Sequence, residues 1–222
     1  MSGTRDEGPN AANPPGVKPR RLIAIPRVLA IGASTGGPQA LSLLLSKLSP
    51  QLDNVPVLIV LHMPADFTNV VSGHIERATG RPTRAARNGE KIRPGEIYFA
   101  PGNHHLKVAK LDRTPILLHC DSPPENFCRP AVNVLFRSVA QVYGPSALGI
   151  VLTGMGTDGL DGARALVEAG GAVIAQDKAS SIVWGMPGAV AQEGLAAAIL
   201  PIETMAVHVT ALLRTRTAGV AA

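Results

Sequence analysis

The chain is poor in the residues that define several common protein classes. Two cysteines, Cys120 and Cys128, in 222 residues cannot build a disulfide framework, and their spacing matches no zinc motif. They read as incidental thiols in a reducing compartment. Aromatic residues make up only 3% of the chain. The positive balance of +5 is spread along the chain and lacks the aromatic-rich basic stretches that stack nucleobases, so no nucleic-acid partner is expected. Charged residues are also scarce, at 17% against 45% apolar, which excludes a disordered, solvating chain. No apolar run spans a membrane or forms a signal peptide. The stretch Leu22 to Ile31 is broken by Pro26 and Arg27, and the first 20 residues mix Arg5, Asp6, Glu7, Lys18 and Arg20 with four prolines. The expectation is a soluble, cytoplasmic protein with no membrane insertion.

What is present is a folded domain with turn punctuation. The 23 glycines and 19 prolines are scattered, not periodic, so collagen-like and low-complexity readings fail. Residues 1–25 read as a solvated arm, 26–214 as one domain and 215–222 as a tail that frays. Apolar runs at Val28–Gly32, Val57–Leu61, Leu148–Thr153 and Ala172–Ala175 alternate with stretches of helical spacing at Pro38–Lys47, Asp66–Thr79, Ala131–Tyr143, Gly159–Ala169 and Glu203–Arg214. This alternation predicts an α/β fold, a doubly wound, Rossmann-like three-layer sandwich with a mostly parallel sheet. Between Arg81 and Cys120 the segments Glu96–Ala100, His104–Ala109 and Pro115–His119 are short and separated by turn signals, which predicts an antiparallel hairpin region at one sheet edge.

In such sheets chemistry collects at the carboxyl ends of the strands. Three predicted strand ends carry reactive side chains: Gly32-Ala-Ser34-Thr35-Gly36-Gly37, Leu61-His62-Met63-Pro64 and Thr153-Gly154-Met155-Gly156-Thr157-Asp158-Gly159. The first satisfies G-x-S-x-G between strand and helix, a turn that exposes a serine hydroxyl with free backbone amides behind it. Taken alone, that turn suits a dinucleotide or phosphate loop better. Against this, the second strand ends in His62 where a ribose-binding acid is needed, and no P-loop Lys-Ser/Thr follows. His62 gains meaning only beside Ser34 and a carboxylate that fixes its tautomer. Asp158 is the candidate, although capping the next helix also explains an Asp there. Asp161 competes, but it falls a turn into that helix. The amides around Gly154 and Gly156, and those after Ser34, are candidate oxyanion donors. His208, the late histidine that an α/β-hydrolase order requires, lies mid-helix in an apolar pattern and reads as structural. His104-His105 reads as a loop pair, since no set with metal-ligand spacing surrounds it.

With those turns, the chain resembles the catalytic domain of the chemotaxis protein-glutamate methylesterases, the CheB-type family, over roughly residues 27–213. The resemblance rests on Ile31-Gly-Ala-Ser34-Thr35-Gly-Gly, Leu61-His62-Met63-Pro64, Phe99-Ala-Pro-Gly102, Val134-Leu-Phe-Arg-Ser-Val139, Leu152-Thr-Gly-Met155-Gly-Thr-Asp158-Gly, and Gln176-Asp through Trp184-Gly-Met-Pro187. It implies hydrolysis of glutamate γ-methyl esters on chemoreceptor cytoplasmic helices with release of methanol, glutamine deamidation in some members, and no requirement for a metal or organic cofactor. It implies roles for Ser34 as nucleophile, His62 as general base and Asp158 as its orienting group, with Thr35 and Met155 lining the site. The family's usual His-Arg-Pro-Ser-Val-Asp reads Cys128-Arg129-Pro130-Ala131-Val132-Asn133 here, and Lys178 stands where an acid is common. The family's usual N-terminal receiver domain finds no room before the first strand of this sequence, so either the catalytic domain is separately encoded or the sequence is a piece of a longer chain. In the first case a separate receiver or scaffold protein is a candidate partner.

Two readings compete on other grounds. A hydrolase of small esters or amides could use the same three residues, and a catalytically silent interaction module could keep the fold. The cluster Arg77, Arg81, Arg84, Arg87, Lys91 and Arg93 either steers an acidic partner or is an ordinary solvated surface.

Overall fold

The computed structural model describes residues 24–214. The expected tail, and the expected arm apart from Ala24 and Ile25, lie outside the described residues. Strand β1 (Val28–Ala33) shows how the sequence dictates the layers. All six of its residues are buried, as a strand covered on both faces requires. Alternate side chains go to opposite sides: Val28 and Ala30 join one apolar core, Leu29, Ile31 and Ala33 another. The same split recurs in β2 (Val57–Leu61) and β7 (Ala147–Val151).

Helices fill the two sides. α1 (Gly37–Leu48) sets Leu41, Leu44, Leu45 and Leu48 on the Leu29 side at helical spacing. Each is fully buried and contributes roughly 1.5–3 kcal/mol relative to exposure. α2 (Thr68–Thr79) and α6 (Ile202–Arg214) add Ile75, Met205 and Val209 to that face. On the Val28 side lie α3 (Val132–Tyr143), α4 (Leu160–Glu168) and α5 (Met186–Gln192), which contribute Leu135, Phe136, Val139, Leu166 and Val190. Among the described residues no helix is long and apolar enough to cross a membrane.

The sheet has seven strands. With β3 (Thr83–Ala85), β4 (Ile97–Phe99), β8 (Ala172–Gln176) and β9 (Ala198–Leu200), the order is β3-β4-β2-β1-β7-β8-β9, and every pairing is parallel. The chain fills one side of β1 first and then crosses to the other, so the strand order switches direction at β1. That is where an open α/β sheet opens a crevice at its carboxyl edge.

The antiparallel expectation needs one correction. The segment Glu96–Ala100 forms β4 and pairs parallel with both β2 and β3. Only β5 (His105–Leu111) and β6 (Thr114–Cys120) form the hairpin, as a separate two-stranded sheet. Its turn residues, Asp112 and Arg113, both have positive φ, the geometry that matches the twist of a two-residue hairpin. Neither is the Asn-Gly or Asp-Gly pair that announces such a turn. The hairpin packs beside α3, where Val108 N–H donates to Ser138 Oγ at 3.0 Å.

Candidate active site

The carboxyl ends of three adjacent strands build the site. Ser34 is the first residue past β1. Its own N–H donates to Thr153 O (3.0 Å) and its carbonyl accepts from Gly37 N–H (2.7 Å), so the turn is closed from both sides. Gly36 is required in this turn. Its φ is +80°, and a Cβ there would stand 2.6 Å from Ile182. The amides of Thr35 and Gly36 make no hydrogen bond among the described residues, leaving two donors beside Ser34 at the N-terminus of α1.

His62 follows β2, and its N–H donates to Ala33 O at 3.0 Å, which sets the residue directly beside Ser34's strand. The ring is mostly buried, with 13% of the side chain exposed. Its Nε2–H donates to Asp158 Oδ2 at 2.8 Å, which leaves Nδ1 as the nitrogen able to accept a proton.

Asp158 lies past β7 with 2% of its side chain exposed. Besides His62, its carboxylate accepts Val132 N–H (2.6 Å) and Asn133 N–H (3.0 Å), the first amides of α3. The capping reading of this residue is therefore corrected. α4 has Gly159 at its N-cap and takes no side-chain cap from Asp158. The two helices exchange caps instead: Asp158 closes α3, while Asn133 Oδ1 accepts Gly159 N–H (3.0 Å) and Gly162 N–H (2.8 Å) at the start of α4. The α3 dipole and both amides favour a negative charge where His62 needs its partner.

The structure thus brings Ser34, His62 and Asp158 to one rim. The other candidates divide. Gly154 N–H is donated to Val183 O at 2.9 Å, so it is not free to hold an oxyanion, contrary to expectation. This glycine instead permits close approach, since a Cβ would stand 2.5 Å from Met186 Sδ and 2.7 Å from Ser34 Cβ. Gly156, at φ +86°, faces open space, and Met155 and Thr35 are exposed at the rim. Asp161 is exposed on α4, and His208 is exposed on α6 rather than lodged in its apolar stripe. Arg84 is committed to Glu90 (2.8 Å) and Glu96 (2.9 Å) and lies 5.0 Å from the centre of the Tyr98 ring; Arg81 pairs with Asp53 at 2.6 Å. These local ion pairs favour the solvated-surface reading of that cluster.

Two supports escaped sequence reasoning. Gln176, fully buried at the end of β8, accepts Thr153 N–H at 2.8 Å, and Thr153 Oγ1–H donates to Thr35 O at 2.9 Å. This chain of bonds fixes the Ser34 turn from behind. The second is the loop before α3. His105 is no loop residue: it is fully buried in β5, accepts Ala131 N–H on Nδ1 (3.1 Å) and donates from Nε2 to Pro123 O (3.1 Å). The loop so pinned delivers Cys128, whose Sγ stands 3.7 Å from His62 Nδ1. The visible sign in the sequence was the departure at Cys128 itself. Burial works against charge on the His62 ring, but the hydrogen bonds with Asp158 and Cys128, reinforced by the Asp158 carboxylate, outweigh it and raise its pKa to about 9.

The comparisons agree with this architecture. The family model for CheB methylesterase matches residues 29–209. A protein-glutamate methylesterase/protein-glutamine glutaminase of Rhodopseudomonas palustris is 51% identical over 187 residues, covering 84% of this chain and 48% of that protein. One from Rhodospirillum rubrum is 50% identical over 83% of this chain and 48% of its own length. The chain therefore spans about half the length of these relatives. The crystal structure of the Thermotoga maritima CheB methylesterase catalytic domain superposes with a TM-score of 0.82 at 33% identity, covering 85% of this chain and all of that one. With a family model matched across its whole sheet and a serine, a histidine and an aspartate gathered at the same strand ends, the chain belongs to the CheB methylesterase family.

Proposed function

We propose that this protein hydrolyses glutamate γ-methyl esters on the cytoplasmic helices of methyl-accepting chemoreceptors, yielding glutamate and methanol, in the cytoplasm and within a chemotaxis-type adaptation system. The observation that carries this reading is the 2.8 Å bond from His62 Nε2 to Asp158, beside the Ser34 turn. Ser34 Oγ attacks the ester carbonyl while its proton passes to His62 Nδ1. The Thr35 and Gly36 amides hold the oxyanion, a contribution of roughly 10²–10³ in rate per donor. Collapse breaks the C–O bond, and His62 returns the proton to the leaving methoxide. Water, deprotonated by His62, then cleaves the acyl-enzyme. Exposed Phe127, Met155 and Ile182 offer apolar contact to a substrate helix. The names of the relatives extend the proposal to receptor glutamine deamidation, and a receiver or scaffold protein is the proposed regulator.

The test is methanol release from a methylated receptor fragment, run beside a simple acetate ester and ammonia release from the unmodified fragment. Methanol release far above small-ester turnover supports the reading. Turnover of the small ester alone would reassign the protein to general ester hydrolysis.

The pH dependence follows from His62. A base must be neutral, and a pKa of about 9 leaves the ring protonated at neutral pH. The kcat/KM is expected to rise about tenfold per unit between pH 6 and 8 and to level off above about 9. A plateau already reached at pH 7 contradicts the assigned environment of His62.

A further inference from the structure

Cys128 occupies a position that ester hydrolysis by Ser34 does not require. Its sulfur stands 3.7 Å from Nδ1 of His62, the nitrogen not engaged by Asp158. Ligand atoms of Cys128, His62 and Asp158 all lie within 4.8 Å of one another. The sulfur is also held there by a purpose-built loop. Glu125 N–H donates to Cys128 O (3.0 Å) and Cys128 N–H to Glu125 O (2.9 Å), around Asn126 and Phe127, which both have positive φ. Glu125 is fixed by Arg137 of α3 at 2.7 Å, and His105 braces the loop on either side through Pro123 and Ala131.

The geometry fits one ligand class. A tetrahedral Zn²⁺ takes a thiolate at about 2.3 Å and an imidazole nitrogen at about 2.0–2.1 Å, which places the two donors roughly 3.6 Å apart. The observed separation is 3.7 Å, so an ion can enter between them with little movement. The far side of the ring is equipped as well. A metal-binding histidine is normally oriented by a carboxylate on its other nitrogen, and Asp158 occupies that place, itself locked by two α3 amides. Water fills the remaining coordination positions.

We propose that Cys128 Sγ and His62 Nδ1 form a binding site for a thiophilic divalent cation, Zn²⁺ above all, and that its occupation shuts off hydrolysis at Ser34. The consequence for catalysis is direct: the lone pair that receives the Ser34 proton becomes a metal bond. Binding displaces the thiol proton and any Nδ1 proton to solvent, so it releases protons. Nothing in the reaction is oxidised or reduced.

The inhibitory half rests on the hydrolytic reading, whereas the binding half does not, and the test separates them. The reduced full chain is titrated with Co²⁺ while the thiolate-to-cobalt charge-transfer absorption is followed. Zn²⁺ is then titrated by calorimetry in two buffers of different ionisation enthalpy. Ester hydrolysis is measured across the same Zn²⁺ range. The wild type is expected to show the charge-transfer band, one-to-one binding with proton release, and inhibition at matching concentrations. Cys128→Ser and Cys128→Ala are expected to abolish the band and to weaken Zn²⁺ binding and inhibition by about tenfold or more. Cys120→Ser, which alters the half-buried thiol that contacts Ser122, keeps all three. A band that survives in both Cys128 variants overturns the site. Binding without inhibition in an active enzyme overturns the switch and leaves the site. A protein that binds Zn²⁺ through Cys128 but hydrolyses no ester locates the failure in the hydrolytic proposal.

Discussion

Ser34→Ala is expected to lower kcat for ester hydrolysis by about 10⁴–10⁶-fold, or roughly 5–8 kcal/mol of transition-state stabilisation. The hydroxyl is the only group removed. The fold is expected to be indifferent. The bonds that close this turn run through the backbone, from Ser34 N–H to Thr153 O and from Gly37 N–H to Ser34 O, and both survive in alanine. The side chain is half-buried, and Ser→Ala at such a position is within about 0.5 kcal/mol of neutral. Rate and thermal midpoint must therefore separate: activity gone, melting unchanged. Turnover within tenfold of the wild type would remove Ser34 from the mechanism. A lost midpoint would mean that the turn depends on the hydroxyl.

That contrast also explains what the sequence could show. The buried strands were legible because a strand covered on both faces reads as an unbroken apolar run: Val57–Leu61 begins and ends where expected, and β1, β7 and β8 lie within two residues of their predicted bounds. The short edge strands β3 and β9 were not legible. Three residues such as Thr83–Ala85 carry too little period to register, and their pairing is imposed by β4 and β8, not by local preference. The parallel placement of Glu96–Ala100 was hidden for the same reason. At the site, the residues that end strands could be read from order along the chain, because topology brings every strand end to one edge. Cys128 could not. It is 66 residues from His62, it sits in a loop without periodicity, and the absence of metal-ligand spacing along the chain says nothing about ligands assembled across strands. His105 was misread because a histidine beside a Pro-Gly-Asn turn resembles surface, while its burial comes from a loop that folds over it.

The second large effect is Asp158→Asn, which preserves shape and reverses the donor pattern. The carboxylate accepts three hydrogen bonds, with His62 and Val132 on Oδ2 and Asn133 on Oδ1. An amide has only one oxygen. If that oxygen takes the Oδ2 place, the new NH₂ confronts Asn133 N–H, and a buried donor goes unpaired. If it takes the Oδ1 place, the NH₂ confronts Val132 N–H and points at His62 Nε2. The ring then keeps its proton on Nδ1, the tautomer that cannot accept from Ser34. The expected result is a fall in kcat of about 10³–10⁴-fold. It is accompanied by destabilisation of about 2 kcal/mol from the unpaired donor and the lost charge at the α3 N-terminus. For a domain of this size that lowers the thermal midpoint by roughly 4–8 °C. The outcome also separates the two readings of Asp158. Asparagine caps helices about as well as aspartate, so a residue that merely capped a helix would tolerate the change with activity intact. One that must present two acceptor oxygens to α3 and still orient His62 loses stability and rate together, which is the pattern that Ser34→Ala cannot produce.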